Sequence, residues 1–201
     1  LGIVPFLRID SGLEPEKNGV QLLKNIYEID KKLEIAVSKG IFGTKMRSVI
    51  NSASEKGINE VVEQQFKISE RINKYNLVPI IEPEITISIA DKENAEKILM
   101  RSILNNLDEL PKDSKVILKL SLPEIMNFYL PLLNHPNVLR VVALSGGYNQ
   151  RNALDKLRCN NGMIASFSRA LTEGLSINQN DDEFNSIIDK SIHDIATASK
   201  I

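Results

Sequence analysis

The 201 residues contain one cysteine, Cys159. No intrachain disulfide can form, and a single thiol fits a reducing compartment. Histidine is nearly as scarce: His135 precedes a proline in a loop-like stretch, and His193 lies in the terminal helical segment. Two histidines so far apart make no metal site, and no Cys/His spacing supports zinc. Neither sign of charge is in excess. With 25 Lys and Arg against 26 Asp and Glu the formal net charge is −1, so no global basic field invites nucleic acid and any phosphate binding must be local. The four tyrosines, Tyr27, Tyr75, Tyr129 and Tyr148, form no stripe on which bases could stack. No apolar run approaches membrane-spanning length. G-x-G-x-x-G, P-loop and G-x-S-x-G patterns are all missing, which argues against a dinucleotide fold and a serine-hydrolase elbow. No signal peptide is visible. Leu1 is not an initiator methionine and the chain opens directly on a strand-like run, so an upstream segment is expected.

What is present is regular alternation of short apolar runs and amphipathic segments. The pattern predicts strands at 3–9, 41–50, 77–85, 115–122, 138–144 and 163–167. Between them it predicts a helix capped by Asp30 and ended by Gly40, then one with Ile58, Val61, Val62, Phe66, Ile68 and Ile72 on one face. Further helices follow: one opened by Asp91, others at 125–133 and 149–157, a short one from Ser168, and a last one at 182–200. No linker or composition shift divides the chain, so residues 1–201 read as a single domain. Strand–helix alternation implies right-handed crossovers and a parallel sheet. An open doubly wound sheet and a (β/α)8 TIM barrel both fit. Charges borne within strands favour the barrel, whose active sites form at strand ends.

Lys119 is the most informative of those charges. It interrupts Val116-Ile117-Leu118-Lys119-Leu120, which reads as a strand buried on both faces. An ammonium buried without a partner is costly and tends to lose its proton, and a neutral lysine attacks carbonyls to form a Schiff base. A strand-end lysine that snorkels to water is the plain alternative. Other strands carry charge too. Alternate strand residues share a face, which pairs Lys45 with Arg47, Glu82 with Glu84, and Arg8 with Asp10. Any one pair could be a solvated strand end or an internal ion pair. Together with Lys119 they suit Schiff-base chemistry, in which positive neighbours favour the neutral amine and a carboxylate moves protons.

Two later segments suit phosphate. Ser145-Gly146-Gly147 follows a strand and precedes a helix, where backbone N–H groups can approach an anion. Taken alone it is also an ordinary strand-to-helix turn. Arg169, in Ser166-Phe167-Ser168-Arg169, follows the last strand, and its planar fork can grip a phosphate. In barrels the phosphate site often lies between the loops of the last two strands.

These segments together resemble class I fructose-bisphosphate aldolase, especially its bacterial branch. The resemblance rests on Gly2-Ile3-Val4-Pro5-Phe6-Leu7, Ile41-Phe42-Gly43-Thr44-Lys45-Met46-Arg47-Ser48 and Leu77-Val78-Pro79-Ile80-Ile81-Glu82-Pro83-Glu84. It continues in Ile117-Leu118-Lys119, Leu144-Ser145-Gly146-Gly147 and Ala165-Ser166-Phe167-Ser168-Arg169-Ala170-Leu171. It implies a glycolytic, cytoplasmic aldehyde-lyase that needs no cofactor and no metal, takes a sugar phosphate, and has neither nucleic acid nor membrane as partner. Association into a homo-oligomer is left open. By resemblance Lys119 is the Schiff-base lysine, Glu82 the acid/base carboxylate and Lys45 the lysine beside the cleaved bond. Arg47 would hold the C6 phosphate; Ser145, Gly146 and Arg169, with Gly147 beside them, would hold the C1 phosphate. Arg8 stands where the family usually has lysine, which keeps the charge but is bulkier. The family also has two βα units, with a catalytic aspartate, before the segment that begins here. The chain is therefore expected to supply about six βα units of a (β/α)8 barrel. A transaldolase-like Schiff-base barrel, or a non-catalytic remnant that binds through open strand edges, are the other readings.

Overall fold

The computed structural model describes residues 2–200; Leu1, where the opening run begins, and Ile201 lie outside them. The elements are β1 (Phe6–Arg8), β2 (Val20–Gln21), α1 (Ile29–Ser38), β3 (Gly43–Ile50), α2 (Glu55–Asn73), β4 (Val78–Ile85) and α3 (Lys92–Asp108). They continue with β5 (Val116–Ser121), α4 (Leu130–Leu133), β6 (Val138–Leu144), α5 (Gln150–Arg158), β7 (Ile164–Ala165) and α6 (Asp181–Ala198). Six strands run parallel in the order β1-β3-β4-β5-β6-β7, each connected to the next through a helix. This is a parallel barrel sheet of six βα units. Its two end strands, β1 and β7, each pair on one side within it. β2 is a short antiparallel addition to the far end of β3, pairing Val20 with Ile50, and it was not foreseen from the sequence.

Alternation within strands sorts the side chains. Met46 and Ile50 of β3, Ile81 and Ile85 of β4, Leu118 and Leu120 of β5, and Val141 and Ala143 of β6 are fully buried. They meet apolar stripes such as Ile58, Val61, Val62 and Phe66 of α2 and Leu99 and Ile103 of α3. Burial of each large apolar side chain is worth about 1.5–3 kcal/mol. The intervening residues, Lys45, Arg47, Glu82, Glu84 and Lys119, share the opposite face. The helix-covered face is therefore apolar and the other face carries the charge.

Gly43 shows how tightly β1, β3 and β4 approach. A Cβ there would stand 2.0 Å from the Val78 carbonyl oxygen and 2.7 Å from the Phe6 ring. α2 starts where Ser54 accepts a hydrogen bond from Gly57 N at 3.2 Å.

Several expected elements are altered. β1 spans three residues because its ladder with β3 runs only from Phe6–Gly43 to Arg8–Lys45. Asp30 does not cap α1. Glu28 holds that position with φ 50°, and Asp30 instead accepts from Arg71 of α2 at 2.7 Å. The helix expected at 125–133 shrinks to Leu130–Leu133. Asn127 adopts a left-handed φ of 58°, and its side chain accepts from Asn161 N at 2.8 Å, so this stretch docks on the loop before β7 rather than coiling. β7 keeps two of five expected residues. The short helix expected from Ser168 is a series of turns, closed by Leu171 N and Thr172 N on the Ser168 carbonyl at 3.1 and 3.2 Å.

Candidate active site

The site is built on adjacent strands. In the β3–β4 register Arg47 faces Glu82, and in the β5–β6 register Lys119 faces Val142. Glu82 is the hub. Its side chain is 4% exposed and lies between two lysines: Lys45 Nζ is 2.7 Å from Oε2, and Lys119 Nζ is 3.2 Å from Oε1. The Lys45 contact is electrostatic, without the angles of a directed hydrogen bond. Lys119, at 17% side-chain exposure, is thus neither a snorkelling lysine nor an unpartnered one. One carboxylate between two lysines leaves a net positive charge on this face, which favours an incoming anion.

The backbone beneath the hub explains how it is held. The β4–β5 ladder pairs only Ile80 with Ile117 and Ile81 with Leu118. Beyond that point side chains take over. Gln65 of α2, fully buried, accepts from Glu82 N at 2.9 Å. Ser121 Oγ accepts from Ile85 N at 3.1 Å and donates to Ile85 O at 2.7 Å. Pro83 has no N–H to lend to a ladder. Glu82 and Lys119 therefore stand just past the end of the β4–β5 ladder, where Gln65 of α2 and Ser121 of β5 take over the hydrogen bonding.

Arg47 Nε donates to Glu84 Oε2, so this arginine is neutralised by a carboxylate on the next strand. Its guanidinium remains half exposed. Arg8 donates through Nε and Nη2 to Asp10 Oδ1, at 3.0 and 2.7 Å. The hydrogen bond to Asp10, then the charge of Asp10 and a smaller contribution from Glu82, raise the Arg8 pKa, so Arg8 feels the hub. Its side chain is largely exposed, while that of Asp10 is buried, with Oδ2 unpartnered.

Ser145, Gly146 and Gly147 turn from β6 into α5. Gly146 has φ 61° and Gly147 φ 111°, and Tyr148 N donates to Ser145 O at 2.9 Å. A Cβ on Gly146 would lie 2.7 Å from Ile87. Both conformation and space therefore demand glycine there. Arg169 lies exposed in the turns after β7. Those turns are tied to the same helix start: Gln150 Nε2 donates to Ala170 O at 2.8 Å, and Gln150 N to Glu173 Oε2 at 2.7 Å. Pairing of Ala143 with Ala165 sets the two loops side by side.

One cluster escaped the sequence reading. Lys92 and Glu96, both on α3 and both nearly fully buried, pair with each other. Lys92 Nζ also donates to Leu122 O at 2.8 Å and lies 3.0 Å from Glu124 Oε1. A Lys–Glu pair four apart is also what an exposed helix face carries; nothing in its spacing reveals burial. Burial raises the Glu96 carboxyl, against the pull of Lys92. Burial also pushes Glu124 upward, yet Lys92 and Lys156 outweigh it and hold its carboxyl at about 2.

Fold and site define a class: a parallel α/β barrel sheet with a lysine–carboxylate–lysine centre on its charged face. No family model matches the chain. It is 54% identical to class 1 fructose-bisphosphate aldolase of Clostridium acetobutylicum over 197 residues, 98% of this chain and 67% of that one. The Synechocystis and Porphyromonas gingivalis proteins of the same description are 53% and 51% identical over the same length. The chain belongs to the class 1 fructose-bisphosphate aldolase family, whose members are metal-independent aldehyde-lyases. It spans about two thirds of the length of these relatives. Fructose-bisphosphate aldolase of Plasmodium falciparum, solved in complex with TRAP and a small-molecule inhibitor, superposes with a TM-score of 0.67 over 98% of this chain and 67% of that one. At 17% identity this likeness concerns the fold.

Proposed function

We propose that this chain carries the reversible cleavage of fructose 1,6-bisphosphate through an imine at Lys119. The observation that supports it best is the buried Glu82 carboxylate between Lys119 and Lys45. Glu82 takes a proton from the Lys119 ammonium and so frees the lone pair. The amine attacks the C2 ketone, and the resulting carbinolamine loses its hydroxyl as water once Glu82 returns a proton. The protonated imine then draws the C3–C4 bonding electrons as the C4 hydroxyl gives its proton to the regenerated Glu82 carboxylate. Glyceraldehyde 3-phosphate leaves. The enamine takes that proton back from Glu82 at C3, and water adds to the imine to release dihydroxyacetone phosphate and the free lysine.

Lys45, on β3 across β4 from Lys119, lies where it can favour charge developing at the cleaved bond. Ser145 and the N–H groups of Gly146 and Gly147, with Arg169, would hold the phosphate on the ketone side. Ser145 lies three residues beyond Val142, the register partner of Lys119. That is about 10 Å along the strand, a span that a lysine side chain and a three-carbon unit can bridge. Arg47 serves the far phosphate once that phosphate competes with Glu84, and Arg8 adds positive charge at the rim. No described helix is long and apolar enough to cross a membrane, and we place this activity in the cytoplasm.

Borohydride with dihydroxyacetone phosphate should fix the label at Lys119. Lys119→Met should abolish labelling. Labelling at another lysine would overturn the assignment.

A further inference from the structure

A chain of polar contacts runs from α3 to the Ser145–Gly147 turn. Lys92 and Glu96 hold the segment after β5 at two backbone points. Lys92 Nζ donates to Leu122 O at 2.8 Å, and Glu124 N donates to Glu96 Oε2 at 3.1 Å. The Glu124 carboxylate then reaches across to the next loop. It accepts from Tyr148 Oη at 3.1 Å through Oε1, and from Lys156 Nζ of α5 at 3.0 Å through Oε2. The Lys156 ammonium also lies 5.3 Å from the Tyr148 ring centroid, within cation–π range. Two lysines and two glutamates balance in charge. Tyr148 immediately follows Gly147, and the segment held by Lys92 immediately follows the strand of Lys119.

We infer that Glu124 is a positioning residue: through Tyr148 and Lys156 it fixes the Ser145-Gly146-Gly147 turn relative to the strand of Lys119, and so sets the distance between the reacting amine and the bound phosphate. None of the groups in this chain needs to touch substrate. The two glycines give the turn wide conformational freedom. Its direct closure is the Tyr148 N to Ser145 O bond. The β5–β6 ladder runs to Ser121–Leu144 and so anchors the near side of the turn; the Glu124 contact with Tyr148 is a side-chain strut that anchors its far side. The low value to which Lys92 and Lys156 hold the Glu124 carboxyl keeps the strut charged at neutral pH. The inference rests on the reading of Ser145–Gly147 as a phosphate site.

Borohydride trapping at Lys119 tests it with two ketones, dihydroxyacetone phosphate and dihydroxyacetone, the second lacking the phosphate. In Glu124→Gln and in Tyr148→Phe, the half-saturating concentration of dihydroxyacetone phosphate should rise about tenfold, and that of dihydroxyacetone should stay as in the parent protein. Such a split separates positioning from general loosening of the fold, which would weaken both ketones together. Equal weakening of both ketones, or no change with either, overturns the inference. Ser145→Ala run alongside distinguishes the two levels. If Ser145→Ala weakens the phosphorylated ketone and the Glu124 and Tyr148 variants do not, only the strut is wrong. If Ser145→Ala changes nothing, the phosphate reading falls and takes the strut with it.

Discussion

Glu82 lies between two lysines, Lys45 and Lys119. Replacing Glu82 with glutamine keeps the volume and the backbone N–H bond donated to Gln65 Oε1, but removes the carboxylate proposed to exchange protons with Lys119. General acid–base groups contribute roughly 10²–10⁴-fold. Glu82→Gln should therefore slow imine formation with dihydroxyacetone phosphate by a factor in that range, measured by the rate of borohydride trapping, while Lys119 remains the labelled residue. An unchanged rate would show that another group carries the proton. Glu124 gives a second residue-level prediction. Its carboxyl ordinarily titrates at 4.5 and is held at about 2 in the folded chain. A carboxyl lowered in the folded state favours folding above its ordinary value, and that advantage fades as pH falls through the folded one. The stability difference between the parent protein and Glu124→Gln should be constant above pH 4.5 and shrink steadily towards pH 2. Glu96, raised by burial, works in the opposite sense and remains in both proteins. Urea midpoints at several pH values would measure this; a difference independent of pH would show that the Lys92 and Lys156 contacts do not matter to folding.

At the scale of elements, the strands differ in how they are held. β3 and β4 share an eight-residue ladder, whereas β4 and β5 share two residue pairs and rely on Gln65 and Ser121 beyond them. The close approach at Gly43 sets β1, β3 and β4 together. Gly43→Ala forces a methyl group against the Val78 carbonyl and the Phe6 ring. Overpacking of this kind typically costs about 1–3 kcal/mol, so Gly43→Ala should lower the thermal midpoint by several degrees, read by circular dichroism. An unchanged midpoint would mean that β1 can move away without cost. The altered elements share a cause. The helix expected at 125–133 and the one expected from Ser168 both had suitable apolar residues. Asn127 turned left-handed to reach Asn161, and the Ser168 turns were drawn onto Gln150 by Ala170 and Glu173. Contacts distant in sequence decided both.

For the whole molecule, the strand order places β4 and β5 in the middle of the sheet and β1 and β7 at its ends. Interior strands have ladder partners on both sides and helices over one face; among the described residues the end strands have a ladder partner on one side. Protection from hydrogen exchange should be greatest for amides of β3, β4 and β5 and least for β1 and β7, because local opening is easiest where few contacts hold the backbone. Equal protection across the sheet would show that something covers those ends in solution. The charged face adds a second whole-molecule property. Lys45, Arg47, Arg8 and Lys119 outnumber their paired carboxylates Glu82, Glu84 and Asp10 there, although the chain carries a net charge of −1.

Hydrophobic periodicity alone was enough to place six parallel strands, because a strand covered by helices must read as an apolar run. It was also enough to mark Lys119 and Glu82, because a charge inside such a run has no ordinary reason to be there. The pairing of alternate residues correctly put Lys45 with Arg47 and Glu82 with Glu84 on one face, since a strand's period is fixed by backbone geometry. Which charges meet was decided by tertiary structure. Register between strands set Glu82 between Lys45 and Lys119 and gave Arg47 to Glu84, and register is not written in any one strand. The same holds for Lys92, Glu96 and Glu124. Their spacing is that of an exposed helix and a loop, and only the packing of α3 under the segment after β5 made them a buried ion network. Lys119 stands out in the sequence because its oddity is local; the carboxylate that pairs with it is 37 residues away in the chain and 3.2 Å away in space.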